Sequence, residues 1–309
     1  METKIDPEMT ALSRSLLAEL SGSIGFRNSR MVQEIMWPIF RPATNALARI
    51  GLTFDRNTQE FGFAKAMAFA LEDFASSVAV RGKETIPASG PLLVVSNHPG
   101  TYDSLVISSR AGRDDLKLIT GDIPFLRKLP HAYEHFFCID NSGGRMVAAR
   151  KAMRHMQSGG AMLLFGYGHI DPDPSVYDDA FEVIDDWSAS INLFLKNVPE
   201  LQVVVTMVSH VVSPKWRNTI LYHLRKNPVD RRRLVEFGQM IYQFLRPRKL
   251  QTAPFITFAP PVSLETLIQE SGSDHALPAV IARAKALMTD HLAWTKTFEP
   301  GDILAHTEN

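Results

Sequence analysis

A histidine and an aspartate five positions apart are the residues of this chain whose types and spacing best fit catalysis. His98 and Asp103 lie in the stretch NHPGTYD, which directly follows an apolar run, LLVV, that predicts a buried strand. The Pro-Gly pair predicts a turn, and the residues from Asp103 onward predict a helix. The chain can therefore reverse and bring the carboxylate back to the imidazole. A carboxylate on one ring nitrogen fixes the tautomer and leaves the other nitrogen free to take a proton.

The elements that position this pair follow from alternating strand and helix patterns over residues 78–309. Short apolar or alternating runs predict strands at VAVRGKETIP, PLLVVSNH, LKLITGD, HFFCID, AMLLFGYG, LQVVVTMVSHVV and APFITFAPP. Helical spacing predicts helices over 103–111, 144–157, 185–197, 216–245, 263–270 and 278–295. This order predicts an α/β fold with a mixed, mostly parallel central sheet flanked by helices.

Residues 1–77 predict an N-terminal helical region packed on the α/β domain. Their apolar residues recur at helical intervals, but Pro38 and Pro42 predict breaks in the middle segment. The layer either covers one face of the sheet or forms a membrane-docking surface with Trp37 and Phe40. We expect no flexible linker between this region and residues 78–309.

Composition limits the classes of function that fit. The 309 residues are 45% hydrophobic and 21% charged with a formal net charge of zero, which suits a folded core and gives no argument for nucleic acid. The single cysteine, Cys138, precludes an intrachain disulfide and fits a reducing compartment. The first residues lack an apolar signal-peptide core, and no apolar run of about 18 residues occurs. We expect neither a secretory signal nor a transmembrane helix.

At NHPGTYD the sequence resembles the glycerolipid acyltransferases, which acylate glycerol 3-phosphate, lysophosphatidate and related lipid alcohols. Their first motif, N-H-x4-D, is matched by Asn97, His98 and Asp103. Their later motifs have counterparts in the same order: FCIDN, a helix, Gly-Gly, and FGYG. The resemblance extends over roughly residues 78–212 and implies the glycerol-3-phosphate acyltransferase-like form of the α/β fold predicted above.

The resemblance implies an O-acyltransferase in which His98 is the general base and Asp103 orients it. It also implies acyl-CoA or acyl-carrier protein as donor, a lipid hydroxyl as acceptor, no cofactor and no metal. A cytoplasmic protein, peripheral at the inner face of a membrane, is expected. Backbone N–H groups at Gly100 and in the FGYG loop are candidate donors to the oxyanion. The expected substrate-binding residues are Asn97, Gly100, Thr101, Arg145, Gly166, Tyr167 and Gly168.

Three positions depart from the family pattern. Asn141 replaces a basic residue, Tyr167 replaces a glutamate, and Gly121 replaces a lysine. In the family these positions help to bind the acceptor's phosphate or to organise its site. Candidate replacements for the missing charge are Arg145 and, less favoured, Arg127, Lys128 and Lys151. The departures keep open an alternative, a catalytically degenerate lipid-binding protein on the same fold, and more remotely a hydrolase in which His98 activates water.

Two further patterns have the residue types of metal sites. HAYEH, residues 131–135, matches the H-x-x-E-H zinc signature but runs into a predicted strand, so we expect a polar turn. His169, Asp171 and Asp173 form a possible metal cluster at the start of an acidic stretch that ends at residue 186. We interpret that stretch as a solvated loop, with a lid beside the site as the alternative.

A strongly basic segment lies at residues 215–249. It contains ten basic residues against Asp230 and Glu236, interleaved with apolar and aromatic side chains. A solvated helix face is the simplest interpretation. The alternatives are a surface for an anionic membrane, for the phosphates of CoA, or for an acidic carrier protein.

Overall fold

The computed structural model describes residues 7–23, 29–139, 144–246, 252–272 and 274–298. In chain order the helices are α1 (Pro7–Ser23), α2 (Arg30–Phe61), α3 (Phe63–Leu71), α4 (Asp103–Ala111), α5 (Pro130–Tyr133), α6 (Gly144–Gln157), α7 (Ala180–Val183), α8 (Ser190–Asn197), α9 (Pro214–Arg217), α10 (Ile220–His223), α11 (Pro228–Leu245), α12 (Leu264–Ser271) and α13 (Leu277–Thr295). The strands are β1 (Ala79–Arg81), β2 (Leu92–Ser96), β3 (Lys117–Gly121), β4 (Phe136–Ile139), β5 (Ala161–Phe165), β6 (Gln202–Ser209), β7 (Phe255–Phe258) and β8 (Val262–Ser263). Single 3₁₀ turns lie at Lys83–Thr85, Leu126–Lys128 and Ile184–Asp186.

The described strands form one mixed sheet in the order β1-β7-β6-β2-β5-β3-β4, with β8 paired to β6. The strands from β6 to β4 in this order run parallel to one another, as do β1 and β7. Strand β6 runs antiparallel to β7 and β8. Helices cover both faces, as parallel strands require. The predicted α/β fold with a mixed, mostly parallel sheet is therefore confirmed.

Strand β2 lies between β6 and β5, and all five of its residues are buried. Successive side chains of a strand point to opposite faces. Leu92 and Val94 accordingly pack in a core shared with α1 to α4, whereas Leu93 and Val95 pack in a second core shared with α6, α8 and α13. The loop that begins at the end of β2 is thus fixed at a strand that both cores hold.

Helix α2 continues through Pro38 and Pro42, so the prediction that these prolines break it is wrong. Each proline removes the N–H that would bond to the carbonyl four residues earlier, at Glu34 and Pro38. Both prolines are exposed, so water can hydrate the two freed carbonyls. Packing of α2 against α1, α3, α5 and α11 stabilises the helix beyond what its propensity provides.

Other elements follow the sequence to differing degrees. Helices α4 and α6 have the predicted bounds. The helix predicted over 185–197 is instead divided, because Trp187 is extended and buried, which separates the 3₁₀ turn before it from α8. The helical stretch predicted over 216–245 is three helices, α9 to α11. Strand β8, with two residues, is too short for a period-2 pattern to predict.

Candidate active site

His98 and Asp103 lie together at the carboxyl end of β2, where a turn carries the chain into the first turn of α4. Nδ1 of His98 is 2.8 Å from Oδ2 and 3.1 Å from Oδ1 of Asp103. Asp103 is fully buried, whereas the His98 side chain is 24% exposed. Asp103 Oδ2 also accepts the backbone N–H of Gly100 at 2.9 Å. The carboxylate therefore holds both the imidazole and the turn, and the described residues make no further hydrogen bond to the ring.

Two neighbours fix His98 from other directions. Its ring stacks on Phe165 at the end of β5, with centroids 4.0 Å apart and planes inclined by 15°. Its backbone N–H donates to Oδ2 of Asp171 at 2.9 Å, and the N–H of Asp171 donates to the His98 carbonyl at 2.8 Å. The loop that follows β5 is therefore joined to the loop that follows β2 at the histidine itself.

A cluster of carboxyls controls the charge of the imidazole. Burial acts to lower the pKa of His98, whereas the charge and hydrogen bond of Asp103 act to raise it. The charges of Glu236 and Asp171 add to the increase, and the resulting pKa of His98 is about 9. Burial raises the pKa of Asp171 to about 7 and that of Glu236 to about 8, with the His98 charge opposing both increases. Because these groups interact, protonation of any one of them changes the proton affinity of the other two.

Asn97 and Tyr102 anchor the ends of the turn. The Asn97 side-chain amide donates to the Val208 carbonyl at 2.8 Å and accepts the Val208 N–H at 2.9 Å. The Tyr102 hydroxyl donates to the carbonyl of Val211 at 2.9 Å and is in hydrogen-bond contact with Thr252. Asn97, expected to bind substrate, is buried with its amide used on β6, and this contact positions the turn.

The three glycines expected beside the substrate have their N–H groups engaged by the protein. Gly100 N donates to Asp103, Gly166 N donates to the Ser96 carbonyl at 2.9 Å, and Gly168 N donates to the Phe165 carbonyl at 3.1 Å. A Cβ on Gly166 would lie 2.2 Å from the Trp187 ring, so only glycine fits there. These N–H groups are therefore not free to bind an oxyanion in this conformation.

The remaining expected site residues lie at the same edge of the sheet. Thr101 is exposed in the turn, and the half-buried Tyr167 packs edge-on against His169 with centroids 5.6 Å apart. Arg145 is exposed in the first turn of α6. That helix follows β4, three strand spacings or about 14 Å from β2. No described contact joins Arg145 to His98.

The positions of the family departures are only partly described. Asn141 lies outside the described residues. Gly121 is exposed at the end of β3, and a Cβ there would meet nothing within 4 Å. Arg127, one of the less favoured replacements for the missing charge, is hydrogen-bonded to Asp122 at 2.8 Å. Lys128 and Lys151 are exposed.

The acidic loop after β5 is not solvated where it begins. Asp171 and Asp173 are buried, so the interpretation of a solvated loop is wrong for both, whereas His169 is exposed. Asp173 accepts the successive backbone N–H groups of residues 210–212 at 2.8 to 3.1 Å. Within the described part of the chain, no group of three or more His, Cys, Asp or Glu side chains is placed to hold a metal ion.

The HAYEH stretch has a structural role. Residues Pro130–Tyr133 form a single helical turn, α5, that ends before the last histidine. The ring of His135 stacks on Phe63 with centroids 3.9 Å apart, and Nδ1 contacts the Leu116 carbonyl at 3.0 Å. This histidine therefore packs between α3 and the sheet.

Glu236 is the site residue that sequence reasoning missed. It lies on α11, within the segment interpreted as a solvated basic face, but its side chain is buried. A Cβ on Gly100 would lie 2.9 Å from Glu236 Oε1. The carboxyl is therefore packed against the turn that carries His98. The sequence carries no signal for this burial, because Arg232, Glu236, Gln239 and Gln243 share one helical face and such a polar row is typical of an exposed face.

A mixed α/β sheet with a carboxylate-held histidine after a central strand is the arrangement that the acyltransferase resemblance implies. Residues 77–177 match the family model described as Acyltransferase. This segment contains β1 to β5, the His98–Asp103 pair and Asp171, so the resemblance to the acyltransferases is confirmed over it.

Two further comparisons complete this result. The chain is similar to the crystal structure of the 1-acyl-sn-glycerophosphate (LPA) acyltransferase, PlsC, from Thermotoga maritima, at 15% identity and a TM-score of 0.42. The match covers 93% of this chain and 94% of that one. A comparison with curated proteins gives no significant match. The family model is therefore the comparison on which the assignment depends.

Proposed function

We propose that this protein transfers a fatty acyl group from acyl-CoA or acyl-carrier protein to a hydroxyl of a glycerolipid or related lipid alcohol. The observation that carries the proposal is the His98–Asp103 pair. Asp103 holds Nδ1 at 2.8 Å, which leaves Nε2 to receive a proton from the acceptor. The acyltransferase family match over residues 77–177 supports the reaction class.

The proposed reaction needs no acyl-enzyme, because a thioester is already activated. The acceptor oxygen attacks the thioester carbonyl carbon as Nε2 of His98 removes its proton. The tetrahedral intermediate then collapses, the C–S bond breaks, and the imidazolium returns the proton to the departing thiolate. General-base catalysis contributes about 10²–10⁴-fold, or about 3–5 kcal/mol. Holding donor and acceptor together must supply much of the remaining rate enhancement.

The imidazole must be neutral to act as this base. With the pKa of His98 at about 9, the charged form predominates in the free protein at neutral pH. We expect kcat/KM to increase with pH as that proton is lost, because kcat/KM reports the ionisation of the free enzyme.

The decisive experiment measures thiol release from a panel of long-chain acyl thioesters with hydroxylated lipid acceptors. His98→Ala is expected to lower the rate by at least about 10²-fold while the protein keeps its fold by circular dichroism. His275→Ala, which removes an exposed imidazole between α12 and α13, is the matched control for the loss of a histidine. Absence of transfer by the wild-type protein with every pair would contradict the proposal.

A lipid-binding protein without turnover is the second candidate. The observation that favours it is that Gly100, Gly166 and Gly168 use their N–H groups within the protein, so the expected oxyanion donors are engaged. Under this alternative, bound lipid is retained equally by the wild type and by His98→Ala, and neither releases thiol. Release of free fatty acid without an acceptor would instead indicate a hydrolase.

We further propose that the protein binds the surface of a membrane. Met31, Ile35 and Ile39 recur every four residues on α2 and are 63–72% exposed, which supports an apolar docking row. Trp37 is half-buried beneath the Arg14 guanidinium at 4.0 Å, so the row replaces Trp37 as the centre of the surface. Among the described helices none is long and apolar enough to cross a bilayer.

A further inference from the structure

The face of α11 that packs on the turn carrying His98 has buried polar side chains, and Glu236 is the one whose side-chain polar atoms all lack a hydrogen-bond partner among the described residues. Arg232 Nε and Gln243 Oε1 also lack a partner, but each of these side chains is bonded through another atom. Gln239 donates to the Val211 carbonyl at 2.9 Å and accepts the Ser213 N–H at 2.8 Å. Gln243 donates to the carbonyl of Phe74 at 3.1 Å. These two side chains attach the helix to the protein through specific hydrogen bonds.

Arg232, one turn before Glu236 on the same face, also has a partner. Its guanidinium pairs with Asp179 at 3.1 Å. Glu236 lies between these bonded neighbours, is only 4% exposed, and has no hydrogen bond of good geometry to either carboxyl oxygen within the described residues. A buried polar group without a partner is uncommon and calls for a specific explanation.

The surroundings of Glu236 connect it to the histidine. Its Oε1 packs against Gly100, whose N–H is bound by Asp103, the residue that holds His98. Burial is the main cause of its raised pKa. An interaction with the Thr101 side chain opposes that increase, and the charge of His98 opposes it to a smaller extent. The charged groups that act on His98 or Glu236 from the surrounding elements are Asp103 at the start of α4, Asp171 after β5 and Arg233 on α11. Glu236 in turn acts on Tyr102, while Asp173 acts on Tyr102 and Arg232 acts on Asp171.

We propose that Glu236 is a positioning residue for His98, and that the charge state of its carboxyl sets the fraction of the imidazole available as a base. When Glu236 is ionised it stabilises the imidazolium, which cannot accept a proton. When Glu236 is protonated that support is lost, and the imidazole releases its proton more readily. Only the catalytic consequence rests on the proposed function; the effect on the His98 titration does not.

The proposal is tested by following the histidine Cε1–H signals of the full chain by NMR as pH is varied. His98→Ala identifies the His98 signal among the ten histidines. Glu236→Gln is expected to lower the His98 midpoint by on the order of one pH unit, about tenfold in the protonation equilibrium. Glutamine has nearly the same shape as glutamate but carries no charge. If Glu236 served only to pack against the turn, this substitution would therefore leave the His98 midpoint unchanged. Glu236→Met, which is of similar length, must give the same shift.

Asp230→Asn is the matched control, because Asp230 is exposed on the same helix and loses the same charge. The His98 midpoint in Asp230→Asn should equal that in the wild type. An unshifted midpoint in both Glu236 variants would overturn the proposal, whether or not the protein is active. If transfer is detected, the rising limb of kcat/KM against pH should move to lower pH in Glu236→Gln. Absence of transfer would contradict the proposed function while leaving the NMR titration decisive for Glu236.

Discussion

The backbone of His98 and the backbone and side chain of Asp171 form a reciprocal pair across two loops. The carboxylate of Asp171 accepts the His98 N–H at 2.9 Å while the His98 carbonyl accepts the Asp171 N–H at 2.8 Å. The other carboxyl oxygen of Asp171 has no partner among the described residues. Asp171 therefore holds the backbone of His98 in place, whereas Asp103 holds its ring.

Removing the Asp171 carboxyl is expected to loosen this pair. Asp171→Ala leaves the buried N–H of His98 without its acceptor, at a cost of about 1–3 kcal/mol in the free energy of unfolding. Asp171→Asn keeps an oxygen that can accept this N–H and should lose less. Urea unfolding of the two variants measures the difference. Equal stabilities for Asp171→Ala and the wild type would contradict the role assigned to the pair.

Stability should fall with increasing pH because of the carboxyls around His98. The pKa of Asp171 is raised from 3.8 to about 7 and that of Glu236 from 4.5 to about 8. A raised carboxyl pKa means that the folded state binds protons more tightly, so this contribution is complete below the ordinary pKa and is lost as pH rises through the folded value. His98, raised from 6.5 to about 9, acts in the same direction between those values.

The pH dependence of Glu236→Gln isolates one part of this effect. Between about pH 4.5 and 8 its free energy of unfolding should decline less steeply than that of the wild type. Urea unfolding at intervals across this range provides the measurement, with Asp230→Asn as the control for loss of one carboxyl. If the free energy of unfolding changes with pH in the same way for Glu236→Gln and the wild type, the Glu236 carboxyl has the same pKa in the folded and unfolded states, which would contradict the prediction.

Membrane binding should depend on the exposed row of α2. The double variant Ile35→Asp, Ile39→Asp is expected to lower binding to anionic phospholipid vesicles at least about tenfold, because it removes apolar area and adds repelling charge. Thr53→Asp with Gln59→Asp places the same two charges at exposed positions near the other end of the helix. Co-sedimentation should separate the two variants. Equal losses would assign the effect to net charge alone.

The choice of acceptor can be probed at the end of β3. A side chain at Gly121 meets no atoms within 4 Å of its Cβ, and β3 is two strand spacings, about 10 Å, from β2. Gly121→Lys introduces the positive charge that the resemblance to the glycerolipid acyltransferases implies at this position. It should lower the KM for lysophosphatidate relative to Gly121→Ala by up to about fivefold, as an exposed ion pair allows. If Gly121→Lys and Gly121→Ala have equal KM values for lysophosphatidate, the phosphate of the acceptor does not bind near residue 121.

The sequence predicted the elements whose stabilising pattern is local. Helix α4 begins at Asp103 and helix α6 ends at Gln157, as turn residues and apolar spacing indicated. The uninterrupted α2 was not predicted, because the exposure of Pro38 and Pro42 depends on how the helix packs. A proline has the same local effect wherever it lies, but hydration of the freed carbonyl depends on its surroundings.

The candidate site was predicted where one segment supplies it and missed where a distant segment contributes. His98 and Asp103 are five residues apart, and their contact follows from a turn. Glu236 comes from a helix more than a hundred residues later, and its acidic side chain in a basic segment gave no indication of burial. Asp171 was assigned to a solvated loop because composition alone cannot show that its carboxyl accepts the backbone N–H of His98.

The alternation of β2 between two cores has a consequence for how substrates enter. Leu93 and Val94 pack in the two different cores on opposite faces of the sheet. The end of β2 that carries His98 therefore cannot shift without disturbing the packing of both cores. The end of β2 is thus the rigid part of the candidate site. Helix α11 reaches the same turn from outside the sheet, attached by the side chains of Gln239 and Gln243. Under the proposed function, space for an acyl chain on the α11 side of this turn would require the helix to move while His98 stays in place.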